Sequence, residues 1–257
     1  MTPHMKHHTI PTCYIIAEAG VNHNGSFEMA CQLVDAAKAA GADCVKFQTF
    51  RAESLVTRDA PKASYQKAGT GPEESQFAML KQLELRQEDF RALSDYCAKA
   101  GIAFMSTPFD LEAAQFLAGI GMSRMKVSSG DLTNLPFLRA LAAMGLPMII
   151  STGMANLAEV EEAVDAIEAA GLDLADLAIL HCTTEHPAPV EEVNLRAMDT
   201  LRAAFPAAVI GYSDHTQGIA IPVAAAARGA LVLEKHLTLD NKLPGPDHAA
   251  SLEPTAF

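Results

Sequence analysis

Tryptophan is absent from the sequence, and so is any apolar run near the roughly 20 residues that a bilayer-spanning helix needs. A helical membrane protein is thereby excluded. Positive charge is scarce too: 19 lysines and arginines face 31 aspartates and glutamates, for a formal net charge of -12. A chain this acidic is not held to nucleic acid or to an anionic membrane by bulk charge, so an anionic small molecule must be met by a local cluster of basic groups. Cysteine is too scattered for a disulfide framework: Cys13, Cys31, Cys44, Cys97 and Cys182 are odd in number and nowhere closely paired. With no signal peptide legible in MTPHMKHH, the expectation is a reduced, cytoplasmic protein. The three histidines of that stretch could bind metal adventitiously, but a frayed polar terminus accounts for them.

What is abundant is apolar. Hydrophobic residues make up 49% of 257, enough for one large core and too many for a disordered chain. Eight short β-branched or apolar runs alternate with longer segments of helical period: 12–20, 43–50, 102–108, 124–130, 147–153, 177–184, 208–214 and 231–240. Helical stretches between them include FEMACQLVDAAKAA, LRQEDFRALSDYCAKA and LAEVEEAVDAIEAA, and Gly41, Gly101, Gly171 and Gly229 stand where C-caps belong. Eight strand-helix units at this length predict an α/β fold of the (β/α)8 TIM-barrel type, over residues 1–257, in preference to an open doubly wound sheet. The stretch from Arg51 to Gln82, containing SYQKAGTGPEESQ, breaks the rhythm and predicts a long loop over the mouth of the second strand. At Phe257 the eighth helix has barely begun, so the expectation is a chain truncated at its C-terminus.

Active sites of such barrels lie at the C-terminal ends of the strands, and here those ends are polar in register. They carry Glu18 with Asn22 and His23, Lys46 with Gln48, Ser106 and Thr107, Lys126 with Ser128, Ser129 and Asp131, Ser151 and Thr152, His181 with Thr183 and Thr184, Ser213 with Asp214 and His215, and Glu234 with His236. One such end is ordinary helix capping; eight predict a polar mouth. Small hydroxyls with glycine after the third, fourth and fifth runs, joined by Lys46 and Lys126, suit a phosphate or carboxylate, and the two lysines have no evident partner in their own strands. His215 and His236 end neighbouring strands, where they could share a divalent cation such as Mn, Co or Mg; two hydrogen-bonded core histidines fit the same spacing. In LVLEKHLTLD, alternation turns Glu234 and His236 inward and Lys235 outward, where a carboxylate partner beneath the outer helices is expected.

IIAEAGVNHNG, VKFQTF, STPFD, KVSSGDLTNLP, STGMA, HCTTEHPAP, GYSDHT, EKHLTLD and GPDHAASLEP, in that order over nearly the whole chain, together resemble the N-acetylneuraminate (sialic acid) synthase family, which includes legionaminic acid synthases. The resemblance implies condensation of phosphoenolpyruvate with an N-acetylmannosamine-type sugar and water, giving a nine-carbon 2-keto acid and phosphate. It implies a TIM barrel followed by an antifreeze-like domain, absent from this chain, and a homodimer when full length. Carried over by position, Lys46, Thr107, Lys126, Ser129, Ser151 and Ser213 would hold phosphoenolpyruvate, with Thr184 where some relatives place Asn, and a divalent metal (Mn, Co or Mg) would sit on His215 and His236. Glu18, Gln48, Asp131, His186 and Asp247 match positions that bind the sugar or handle protons. Glu18 or Asp131 would transfer protons, beside Lys46 and Lys126 as the catalytic cations. Asp131 is Glu in some members and His186 is usually Tyr, which bears on sugar preference. The 2,4-diacetamido-2,4,6-trideoxymannose of the legionaminate branch is the alternative substrate, because SYQK and ESQ resemble that branch as well. A barrel that binds sugar or phosphate without turnover is the alternative of another class.

Overall fold

The computed structural model describes residues 13–62 and 74–257. In chain order the elements are β1 (Tyr14–Gly20), α1 (Phe27–Ala39), β2 (Cys44–Thr49), α2 (Ala52–Leu55), α3 (Gln76–Leu83), α4 (Gln87–Ala100), β3 (Ala103–Pro108), α5 (Leu111–Gly119), β4 (Met125–Val127), α6 (Leu135–Ala142), β5 (Met148–Ser151), α7 (Leu157–Ala169), β6 (Leu177–Cys182), α8 (Ala197–Ala204), β7 (Val209–Asp214), α9 (Ala220–Ala227) and β8 (Val232–His236). All eight expected strands are present, within the bounds the apolar runs suggest.

The strands form one parallel sheet in the order β3-β2-β1-β8-β7-β6-β5-β4. Its two ends, β3 and β4, lie side by side and bring the sheet round into a nearly closed barrel. Helices cover the outer face, so the strands are buried on both sides and read as continuous apolar runs. Side-chain caps fix where the helices begin: Ser26 Oγ accepts from the Met29 N–H at 3.2 Å, and Asn156 and Glu159 exchange reciprocal bonds at the start of α7. Gly41, Gly101, Gly171 and Gly229 all take positive φ just past a helix, as expected of that residue there.

The segment after β2 departs from the sequence expectation. It is not one long loop, because α2 and α3 occupy its two ends; Val21, Phe50, Ala52, Met79, Leu80 and Leu83 bury their side chains in a small second core there. The apolar spacing of QFAMLKQL supports that helix once Phe50 offers a surface to cover. The rest of SYQKAGTGPEESQ, up to residue 73, lies outside the described residues, as does the histidine-bearing stretch 1–12.

Candidate active site

Strand register decides which side chains meet at the C-terminal mouth. Glu18 of β1 stands level with Lys46 of β2 on one side and His236 of β8 on the other, and Ser213 of β7 stands level with Glu234 of β8. The mouth encloses a cavity of about 200 Å³, lined among others by Glu18, Lys46, Lys126, Ser129, Ser213, Glu234 and His236. Gln48, Thr107, Ser151, Thr184 and His215 also reach it, so most of the residues expected from the sequence converge on one space.

The two lysines, without a partner in their own strands, are paired by side chains of other strands. Lys46 Nζ lies 2.6 Å from Glu18 Oε2 and 3.7 Å from Glu234 Oε2, and it donates to Thr107 Oγ1 at 3.1 Å. Lys126 Nζ donates to Ser151 Oγ at 2.8 Å and lies 3.7 Å from Glu234 Oε1. Ser213 Oγ donates to Glu234 Oε1 at 2.9 Å, and Gln48 Nε2 to Glu18 Oε1 at 3.0 Å. Sequence alternation brought Glu234 to the mouth but assigned it no role; facing both ammonium groups, it is the charge that links them.

Burial divides these groups. It pushes the Glu18 carboxyl up to about 7, and the nearby Lys46 only partly offsets it. Burial also acts against the Glu234 carboxylate, but Lys126 and Lys46 together outweigh it and hold that group below its ordinary value. Lys126 is lowered by burial, with Glu234 opposing. Of two similar carboxyls in one pocket, Glu18 is therefore the one able to gain or lose a proton near neutrality.

Around this charged floor stand small donors. Ser129 Oγ accepts the Gly153 N–H at 3.0 Å, and Gly153 packs closely against both Ser129 and Thr184. Asp131 does not line the cavity: it sits behind Ser128, whose Oγ donates to it at 3.1 Å, and burial raises its carboxyl. Asp247, brought in by the turn after β8, lies close enough to His186 and Lys46 for their charges to bear on its own raised carboxyl, although burial is the larger influence.

Three histidines gather on the opposite wall. His215, His236 and His186 place one ligand nitrogen each within 4.8 Å of one another. His215 Nδ1 lies 2.7 Å from the Thr183 carbonyl oxygen, which can only accept, so Nδ1 carries the proton and Nε2 keeps its lone pair. Burial lowers His215 to about 4 and takes His236 well below its ordinary value, which keeps both imidazoles neutral as metal ligands must be. His236 Nδ1 is buried without a hydrogen-bond partner. These features fit a divalent cation better than two satisfied core histidines.

Other polar residues of the strand ends serve the frame. Asn22 Nδ2 donates to the Leu237 carbonyl and to Ser251 Oγ, both at 2.9 Å, and tethers the segment after β8. His248 lies 2.7 Å from Thr238 Oγ1 through Nδ1 and 3.2 Å from Asn24 Oδ1 through Nε2. Lys235 meets the carboxylate expected for it: Asp214 Oδ2, at 2.6 Å, on the outer side of the barrel wall.

Comparison with known proteins agrees with this geometry. Residues 33–257 match the NeuB family. The chain is 51% identical over 245 residues to the N,N'-diacetyllegionaminic acid synthase of Legionella pneumophila, covering 95% of this chain and 68% of that protein. It is 50% identical over 240 residues to the enzyme of the same name from Campylobacter jejuni, covering 93% and 72%. Among solved structures, the N-acetylneuraminic acid (sialic acid) synthetase of Leptospira borgpetersenii, in complex with citrate, superposes with a TM-score of 0.84 at 34% identity, over 95% of this chain and 80% of that one.

Proposed function

The chain belongs to the NeuB family, and on that premise we propose that it is a nonulosonic acid synthase joining phosphoenolpyruvate to an acetamido-mannose sugar. The observation that carries the reading is the pairing of two buried lysines, Lys46 and Lys126, with a ring of serine and threonine hydroxyls on one wall of the cavity and three histidines on the other. One wall suits a phosphate and a carboxylate, the other a cation beside the aldehyde.

In this reading Lys46, Lys126, Thr107, Ser129, Ser151, Thr184 and Ser213 hold phosphoenolpyruvate. His215 and His236 would hold a divalent cation, which when bound supplies Lewis-acid polarisation of the sugar aldehyde oxygen. C3 of phosphoenolpyruvate forms the new bond to the aldehyde carbon, a water oxygen adds at C2, and the tetrahedral centre expels phosphate with its bridging oxygen. Donors fixed before reaction stabilise the charge as it moves, without reorganising. Glu18, with its carboxyl near neutrality, is the group suited to exchange the proton. Asp131 takes a supporting position behind Ser128, while Gln48, His186 and Asp247 face the sugar side.

The diacetamido-trideoxy sugar is favoured over N-acetylmannosamine because both relatives near 50% identity bear the legionaminic name. Mn, Co or Mg as the ion, a homodimer and a cytoplasmic setting extend the same proposal; among the described residues no helix is long and apolar enough to cross a membrane. The test is phosphate release from phosphoenolpyruvate, which should require both sugar and divalent metal and vanish in His236→Ala with the circular dichroism unchanged. Release at the wild-type rate in that variant would refute the ligand role, and no release with any sugar would leave a binding barrel instead.

A further inference from the structure

His186 lies on the loop after β6, outside the two strand ends that carry His215 and His236, yet its ring turns inward onto both. Its centroid is 4.6 Å from that of His236 and 5.0 Å from that of His215, and those two are 5.3 Å apart. The three rings therefore form a triangle of nearly equal sides. They are tilted or edge-on to one another, at interplanar angles of 55°, 84° and 66°, rather than stacked. Stacked rings would point their nitrogens apart; these bring one nitrogen from each within 4.8 Å of the others.

Two further observations bear on what belongs at the centre. The Thr183 carbonyl fixes the His215 tautomer, freeing Nε2 as a lone-pair donor, which is the outer-sphere arrangement that orients imidazole ligands in metal sites. His186 and His236 are both buried, at 6% and 8% exposure, so the nitrogens they offer face a space largely withdrawn from bulk water.

We infer that His186 is a third ligand to the cation, so that the site is a three-imidazole face which takes Co2+ or Zn2+ in preference to Mg2+. The inference rests on the synthase reading for the location of the metal and deepens it by specifying the donor set. Mg2+ prefers oxygen ligands and sheds its water reluctantly, whereas each imidazole nitrogen added to a site raises its affinity for later divalent ions. Three ligands on one face still leave positions open for substrate oxygens, as a catalytic site requires.

The test is a Co2+ titration of the metal-free protein followed by visible absorption, without either substrate. Wild type, His186→Ala and His186→Gln are compared, with circular dichroism to establish that each is folded. The expected result is a Co2+ spectrum that changes in shape in both variants, with affinity weakened on the order of tenfold or more. Mg2+ at a hundredfold excess should fail to displace the ion from wild type. Identical spectra and affinities in wild type and in either folded variant would overturn the third-ligand assignment, as would ready displacement by Mg2+. Because no turnover is measured, that outcome is distinct from failure of the synthase reading, which shows as absence of condensation in a protein that binds Co2+ normally.

Discussion

Lys46 Nζ lies 2.6 Å from Glu18 Oε2 inside a barrel mouth where both side chains are almost wholly buried. With Lys126 and Glu234 close by, two cations and two carboxylates share this floor, so it is balanced before any substrate enters. In the proposed synthase, an arriving phosphate and carboxylate would compete with Glu18 and Glu234 for the same ammonium groups. Protonating Glu18 relieves that competition, and its raised carboxyl makes this possible near neutral pH.

Glu18 should therefore leave a pH signature in stability. The folded protein holds this proton to about 7, whereas the ordinary value is 4.5. Between those limits the folded state binds more protons than the unfolded one, so this group's contribution to stability falls as pH rises through the window and levels off above it. Denaturant melts from pH 4 to 8 should show Glu18→Gln gaining on wild type by at most about 3 kcal/mol across that range. A pH-independent difference would contradict the assignment.

Lys126→Ala should raise KM for phosphoenolpyruvate on the order of tenfold or more while changing KM for the sugar by less than about threefold, since a lost charge-assisted bond costs roughly 1.5–3 kcal/mol. Initial rates with each substrate varied in turn measure the split. Equal effects on the two would place Lys126 away from the phosphate wall.

Gly153→Ala should weaken phosphoenolpyruvate in the same selective way. A Cβ there would meet the Thr184 methyl and come within 2.9 Å of Ser129 Oγ, so two residues of the anion wall must shift. Because Gly153 does not take a left-handed backbone conformation, the cost is overpacking alone, and a rise in KM of about tenfold with a stability loss of about 1–3 kcal/mol is expected. An unchanged KM would show that this wall does not hold the anion.

Lys235 provides a contrast outside the mouth. Its ammonium bonds Asp214 Oδ2 and the Thr216 carbonyl, while Asp214 Oδ1 accepts from Tyr212 OH at 3.0 Å and from Thr216 Oγ1 at 2.9 Å. Lys235→Ala strands a buried carboxylate and should cost about 3–5 kcal/mol in equilibrium denaturation. Pairing Lys235→Met with Asp214→Asn should recover most of it, with both KM values unchanged throughout. A double variant as unstable as Lys235→Ala would refute the pairing.

The strands, and the inward faces of β2 and β8, were legible because a fully buried parallel strand must be apolar, so every polar residue at a strand end stands out. Lys46, Ser213 and His236 were found by that contrast. Glu234 was visible but assigned no role, since only the register opposite Ser213 and the reach of two lysines reveal what it balances. The clustering of His186 with the other two histidines depends on the path of a loop, which carries no periodicity to read. The helices at the ends of the segment after β2 were hidden for a similar reason: the second core around Phe50 exists only once the chain has folded back over it.

The most direct measurement is a sugar panel with phosphoenolpyruvate labelled by 18O at the bridging oxygen, read by mass spectrometry. With divalent metal and 2,4-diacetamido-2,4,6-trideoxymannose, the expected products are a nine-carbon 2-keto acid of the mass of sugar plus pyruvate, and phosphate carrying the label. N-acetylmannosamine should react more slowly. Label retained in the keto acid, or consumption of phosphoenolpyruvate with no sugar-derived product, would contradict a synthase that breaks the carbon-oxygen bond.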